Sequence, residues 1–268
     1  MKKRDGNLLN IVLRIYLVFA LFFLFAPILV TIAFSFNSDR FPSLPWRGFS
    51  LCWYEQLFAY PVLMTPLKNS FLVGIAVSLT AIILGFAGAY GLRHARFRWK
   101  NIYLLGMMSP LAVPWMLLGL GLLIFFSRLG IPKSLFTVWI SHLVFCAPLA
   151  LVIINTRLNT IPKSMEEAAS DLGAGHWQTL VKVLLPQSLP GIVAAALLTF
   201  TLSFDEFIIS WFVSGFSETL PVRIFAMMRS GTNPTLNAIG SIVFFISITF
   251  TVVAQFFIRS KNAPGGES

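Results

Sequence analysis

The chain has 268 residues, of which 57% are hydrophobic and only 11% charged, with a formal net charge of +10. An ordinary soluble domain carries about a quarter charged residues, so the composition excludes a typical water-soluble enzyme and points to lipid as the solvent. The positive balance then reads as membrane orientation, not affinity for nucleic acid, because Lys and Arg collect in cytoplasmic loops.

A helix needs about 20 apolar residues to cross a bilayer. Six segments qualify: 11–36, 70–92, 102–127, 134–156, 191–213 and 236–258. They are too continuous for alternating barrel strands. The expected fold class is therefore an all-α polytopic membrane protein, with residues 1–268 forming one transmembrane domain. Lys2, Lys3 and Arg4 precede the first apolar run. That run exceeds the roughly 7–15 residues of a signal-peptide core, so it reads as an uncleaved first span with its basic end inside. The segment 37–69 follows, holding Phe41, Pro42, Pro45, Trp46, Trp53 and Tyr54. Trp and Tyr are ordinary interfacial anchors, and an external segment of this length also suits a docking platform for a binding protein. The third span contains Pro110, Pro114, Gly119 and Gly121, which predicts a kink or break.

The basic residues set the orientation. With the N-terminus inside, Lys2, Lys3, Arg4, Arg14, Arg93, Arg96, Arg98, Lys100, Arg157, Lys163, Lys182, Arg259 and Lys261 are cytoplasmic, thirteen of the 20 Lys and Arg. The remaining seven, Arg40, Arg47, Lys68, Arg128, Lys133, Arg223 and Arg229, are external. This bias predicts both termini, and the segment 157–190, on the cytoplasmic side. Cys146 lies within an apolar span and Cys52 outside one, so neither a disulfide nor a metal site is expected.

The segment 157–190 is the polar connector between spans four and five. Ser164 and Glu167 have the spacing of a capping box, and Glu166 and Glu167 fall where a helix dipole favours negative charge. Ala168 and Ala169 leave a thin surface for close approach. Asp171 and Leu172 lead to Gly173, placed for a left-handed helix end. A second short helix is predicted from His176 to Leu185, stopping at Pro186. Arg157 and Lys182 read as surface charges beside this loop.

Asp205 and Glu206 are the only carboxylates inside a predicted span. Each costs roughly 2.5–3.5 kcal/mol at a helix centre if it faces lipid, so each needs a partner or water. Asp205 lies 14 residues beyond Gly191, about 21 Å into a hydrocarbon core of about 30 Å. Thr199, Ser203, Glu206 and Ser210 recur at helical spacing and form one polar stripe. This stripe is expected to line a translocation path, with Asp205 on the flank. The alternative is a hydrogen-bond network tying span five to a neighbour. His142 in the fourth span reads as a satisfied buried histidine.

Glu167-Ala168-Ala169, three residues, Gly173, nine residues, Val183, one residue and Leu185-Pro186 resemble the coupling loop of permease subunits in binding-protein-dependent ABC importers. Only Val183 departs, standing where the family carries Ile. The resemblance extends over nearly the whole chain and is strongest to the C-type permeases of spermidine/putrescine importers. It is carried there by Phe36-Asn37-Ser38, Trp53-Tyr54, Ser141-His142, Phe145-Cys146, Leu202-Ser203-Phe204-Asp205-Glu206, Thr219-Leu220-Pro221 and Asn233-Pro234. It implies a type I importer fold, location in the bacterial inner membrane, and alternating access with no catalytic residue. The implied partners are a second related permease, an ATPase dimer that holds ATP and Mg, and a periplasmic or surface solute-binding protein. Glu166, Glu167, Ala168, Ala169, Asp171 and Gly173 would meet the ATPase. The implied solute is a polyamine, whose ammonium groups suit carboxylates and aromatic rings. Trp115 stands where similar polyamine permeases commonly carry Asp, which leaves an amino-acid-like, phosphonate or opine-like solute as an alternative. No G-x-x-x-x-G-K-[ST] occurs, so this chain is not expected to hold ATP in that manner. An ion-coupled carrier using Asp205, Glu206 and His142 is the reading of another class, but no six-span inverted repeat is evident.

Overall fold

The computed structural model describes residues 2–39, 46, 48–59, 61–94, 98–231 and 234–260. Arg40, Phe41, Pro42, Pro45, Arg47, Arg96, Asn233 and Lys261 lie outside the described residues. The described residues are helical, apart from connecting segments and an isolated antiparallel bridge between Asn37 and Phe49. The chain divides into two compact units, residues 1–61 with 226–246 and residues 62–225 with 247–268.

The first unit opens with α1 (Lys2–Ser35), whose portion Asn10–Ser35 is long and apolar enough to cross a membrane. Its apolar side chains are mostly exposed, as on a helix solvated by lipid. The chain then turns back on the helix end. Trp53 Nε1 donates to the Asn37 carbonyl at 2.6 Å, the Tyr54 and Ser35 hydroxyls lie 2.7 Å apart, and Phe36 stacks on Phe49 at 4.9 Å. Trp53 and Tyr54, at the start of α2 (Cys52–Ala59), therefore fasten this segment internally as well as being suited to an interface.

The second unit holds α3 (Pro61–His94, from its second residue), α4 (Lys100–Ala112), α5 (Trp115–Arg128), α6 (Leu135–Asn159), α7 (Lys163–Asp171), α8 (His176–Thr179), α9 (Leu185–Asp205) and α10 (Ile208–Val213). Beyond α10, α11 (Leu220–Ser230) and α12 (Thr235–Ser260) run across the division between the units. Its core lies around α6, with α3, α5, α9 and α10 against it, and includes Val77, Val138, Phe145, Ile154, Ala195 and Ile209. Lipid gives helices no hydrophobic reason to associate, so small residues and interhelical hydrogen bonds carry more of the specificity. Gly85 of α3 illustrates the first: a Cβ there would lie 2.8 Å from the Leu151 backbone nitrogen of α6. The second is met by three donors: Ser78 Oγ to the Ala196 carbonyl, Trp139 Nε1 to Thr80 Oγ1, and Thr137 Oγ1 to the Val213 carbonyl.

Among the described residues, four helices are long and apolar enough to span a membrane, and α4 with α5 forms a fifth candidate bent by 94°. The bend falls at Val113 and Pro114, as the prolines of the third span predict. The sixth expected span lies within the 26-residue α12. Two expectations need correction. The fifth span, 191–213, is not one helix, because α9 ends at Asp205 and α10 begins at Ile208. Pro186 does not stop the loop helix either. A π turn over Leu180–Leu184 joins α8 to α9, with the Leu185 N–H bonded to the Leu180 carbonyl. Pro186 thus falls in the first turn of α9, where a missing N–H and a fixed φ are tolerated.

Candidate functional site

The first candidate site forms where the fifth span breaks. Glu206 has an extended backbone, φ −70° and ψ 121°, and its side chain folds over the start of α10. Ile209 N–H donates to Oε1 at 2.7 Å and Ser210 N–H donates to Oε2 at 2.8 Å. These are amides that a new helix leaves unpaired, and the positive helix end favours the carboxylate. From α6, His142 Nε2 lies 3.2 Å from Glu206 Oε2 and 3.0 Å from Ser210 Oγ, and Nδ1 lies 2.8 Å from Ser203 Oγ. A carboxylate accepts only. The Nε2–H of His142 therefore donates to Glu206, and Nδ1 pairs with the Ser203 hydroxyl.

The geometry ties the polar stripe to a neighbouring helix. Thr199, Ser203, Glu206 and Ser210 are all buried. Of the four, Glu206 borders the open groove described next, and Thr199 Oγ1 is spent on the Ala195 carbonyl at 2.7 Å. Asp205 is the exposed member of the acidic pair. Together with Trp115, Thr201, Leu202, Glu206, Phe207 and Ile208 it lines an open groove of about 510 Å³. Trp115 opens α5 immediately after the break in the third span, and its ring lies 4.8 Å from that of Phe145. The groove thus gathers two carboxylates, of which Asp205 is the exposed one, and one indole at two helix breaks. Phe207, Trp211 and Phe225 cluster beside it, with ring centroids 4.7 to 5.8 Å apart.

The second candidate site is the loop between α6 and α9. Ser164 does not cap its helix: α7 begins at Lys163, with Pro162 at the cap position and no side-chain cap. Pro162 already fixes the chain's entry into the helix, so Ser164 falls inside the first turn. The other end follows the expectation, with Gly173 at φ +81°. Ala174 N–H bonds to the Ala169 carbonyl at 2.9 Å and Gly173 N–H to the Ser170 carbonyl at 2.8 Å, the paired bonds of a Schellman end. Ala168, Asp171 and Gly173 are exposed and Ala169 is half-buried. The two glutamates part company: Glu167 is exposed, whereas Glu166 turns inward to Arg93 and His94 at the end of α3. Arg157 is not a loose surface charge, since Nε donates to the Gln187 carbonyl at 3.1 Å.

Sequence reasoning missed two partners. His142 was visible as the lone histidine of an apolar run, yet its link to Glu206 depends on the break in span five. Arg93 carried no signal beyond its charge, because its acceptors are 65 or more residues away.

A helical membrane protein with spans broken beside a carboxylate and an exposed amphipathic loop helix has the architecture of a transport permease. The chain belongs to the family of binding-protein-dependent transport system inner membrane components, which matches residues 79–262. It is a permease subunit of an ABC importer, a transport protein and not an enzyme. It is 37% identical to the spermidine/putrescine transport system permease protein PotC of Haemophilus influenzae, covering 90% of this chain and 93% of that one. It is 34% identical to the PotC protein of Escherichia coli K12, over 90% and 91%, and 36% identical to that organism's putrescine transport system permease protein PotI, over 82% and 81%. The fold is similar to a bacterial ABC transporter involved in alginate import, with a TM-score of 0.72 at 18% identity over 97% of this chain and 98% of that one. It is also similar to the methionine transporter MetNI, with a TM-score of 0.59 at 20% identity over 77% and 97%.

Proposed function

We propose that this chain is a permease of a bacterial inner-membrane importer for polyamines such as putrescine and spermidine. The observation that carries the reading is the placement of Asp205 and Trp115 in one groove, in a chain 34–37% identical to permeases named for these solutes. An ammonium group gains a charge-assisted hydrogen bond from a carboxylate and a cation–π contact from an indole face. Both termini and the segment 157–190 face the cytoplasm in this reading, following the bias of the basic residues.

A solute-binding protein delivers the solute to the outer face. This chain and a second, related permease enclose the path, and a separate ATPase dimer holds ATP and Mg. Closure of the ATPase pair moves α7, with Glu167, Ala168 and Asp171 on its exposed side, and the spans alternate between outward-open and inward-open states. Asp205 and Trp115 meet the solute. Glu206, with His142, Ser203 and Ser210, keeps the break rigid behind them.

A second reading keeps the importer and changes the cargo. Trp115 stands where a second acid would serve a polyamine, and its ring is already packed on Phe145, which suits a solute with one cationic group beside an apolar or anionic one. Solute-stimulated ATP hydrolysis by the complex in liposomes separates the two. Stimulation by putrescine or spermidine alone supports the polyamine reading, and stimulation only by amino acids, phosphonates or opines refutes it.

A further inference from the structure

We infer that Arg93 transmits movement of the loop helix α7 to the spans of its own chain, so that ATP hydrolysis without Arg93 runs uncoupled from transport. The inference rests on the reading of α7 as the ATPase contact. Among the described residues, α7 has no buried side chain, and only Glu166 and Ala169 are even half-buried. The helix packs lightly against α8 and the π turn that leads into α9, with none of its own side chains buried. Its polar attachment is Glu166, and Glu166 is held at the end of α3. Arg93 Nε donates to Oε1 at 2.6 Å and Nη2 lies 2.5 Å from the same oxygen, while His94 Nε2 lies 2.9 Å from Oε2.

The guanidinium does more than neutralise Glu166. Its Nη1 donates to the Leu158 carbonyl and its Nη2 to the Ile161 carbonyl, the latter at 3.0 Å. The Leu158 carbonyl lies in the last turn of α6 and the Ile161 carbonyl in the short segment that leads on to α7. One side chain, 4% exposed, therefore joins α3, α6 and α7. A planar five-donor fork serves three acceptors in fixed directions, which a lysine ammonium cannot reproduce. The end of α3 is braced in turn by Lys100 Nζ, which donates to the Leu92 carbonyl at 2.5 Å. A pull on α7 thus arrives at the ends of two spans through Arg93. The chain itself supplies two parallel covalent routes, the three residues that link α6 to α7 and the four that link α7 to α8.

The test is a coupling ratio. The complete complex, with ATPase, partner permease and binding protein, is placed in proteoliposomes, and putrescine taken up per ATP hydrolysed is measured. Site-to-site couplings commonly span about 5- to 150-fold. Arg93→Gln is expected to lower the ratio at least about tenfold, and Arg93→Lys about threefold, because lysine restores the charge without the fork. A ratio within about twofold of wild type for Arg93→Gln overturns the inference, as does a proportional loss of uptake and hydrolysis, which would make Arg93 a general fold element. Should that variant not assemble, spin labels at Gly91→Cys and Ala168→Cys report in the Arg93-containing complex. Their separation is expected to hold when ATP binds; a change larger than about one helical turn, 5.4 Å, overturns the inference. Absence of putrescine uptake by the unsubstituted complex refutes the polyamine reading instead, and the label pair still decides the role of Arg93.

Discussion

The chain carries two adjacent acidic pairs, Glu166-Glu167 in the loop and Asp205-Glu206 at the span break, and both are divided in the same way. One member is spent inside the protein and the other is left exposed. The fastenings differ. Glu166 meets a permanent cation whose remaining donors fix helix ends, in a place that water can reach. Glu206 is enclosed, and is held by backbone amides and a histidine. The first arrangement suits a joint that must carry load while its helix stays outside the core. The second suits a fixed corner that presents its exposed neighbour to a passing solute.

The largest effect that tests this contrast is on folding. Glu206→Ala leaves the Ile209 and Ser210 amides without their acceptor, at a cost of about 1–3 kcal/mol for each orphaned group. The expected outcome is a sharp fall in the folded fraction in detergent, whereas Asp205→Asn keeps the wild-type melting profile. Equal melting of both variants would erase the distinction within the pair. Next comes transport. Asp205→Asn is expected to reduce putrescine uptake roughly tenfold, the loss of one charge-assisted contact, at unchanged yield of the complex. Unchanged uptake would remove Asp205 from the path. A smaller effect belongs to Glu167→Gln, which should reduce retention of the ATPase during purification about threefold in low salt and less in high salt, as for a rim charge. The smallest concerns the loop's bend. Gly173→Ala forces a side chain into the left-handed region at a cost of about 1–2 kcal/mol, read as a melting shift of a few degrees.

The sequence made the loop legible because its signals are local. The glycine at a helix end, the thin alanine surface and the glutamate pair all act within a few residues, and the family spacing fixes their order. The apolar runs were legible for the same reason, since a 20-residue span is a property of composition. The prolines of the third span announced its break. What stayed hidden was long-range or depended on an unsignalled change of backbone. Nothing around Glu206 breaks a helix by propensity; the break is held by a side chain curling back onto later amides and by His142 from another helix. Ser203 and Ser210 stand on opposite sides of the break, and both reach His142. Ser164 has the right residue type for a cap, yet Pro162 starts the helix earlier.

The π turn at Leu180–Leu184 gives the fifth span a built-in phase offset. A π turn accommodates one more residue than the ordinary ladder, and each residue of an α-helix turns the chain by about 100°. Deleting one residue from this stretch would regularise the helix and swing the exposed Trp177 by about a quarter revolution relative to the face bearing Ser203. The angular setting between what the cytoplasm grips and what the membrane encloses is therefore written into a single surplus residue. Shortening the chain there would retime the two ends of one rod without altering either end's composition.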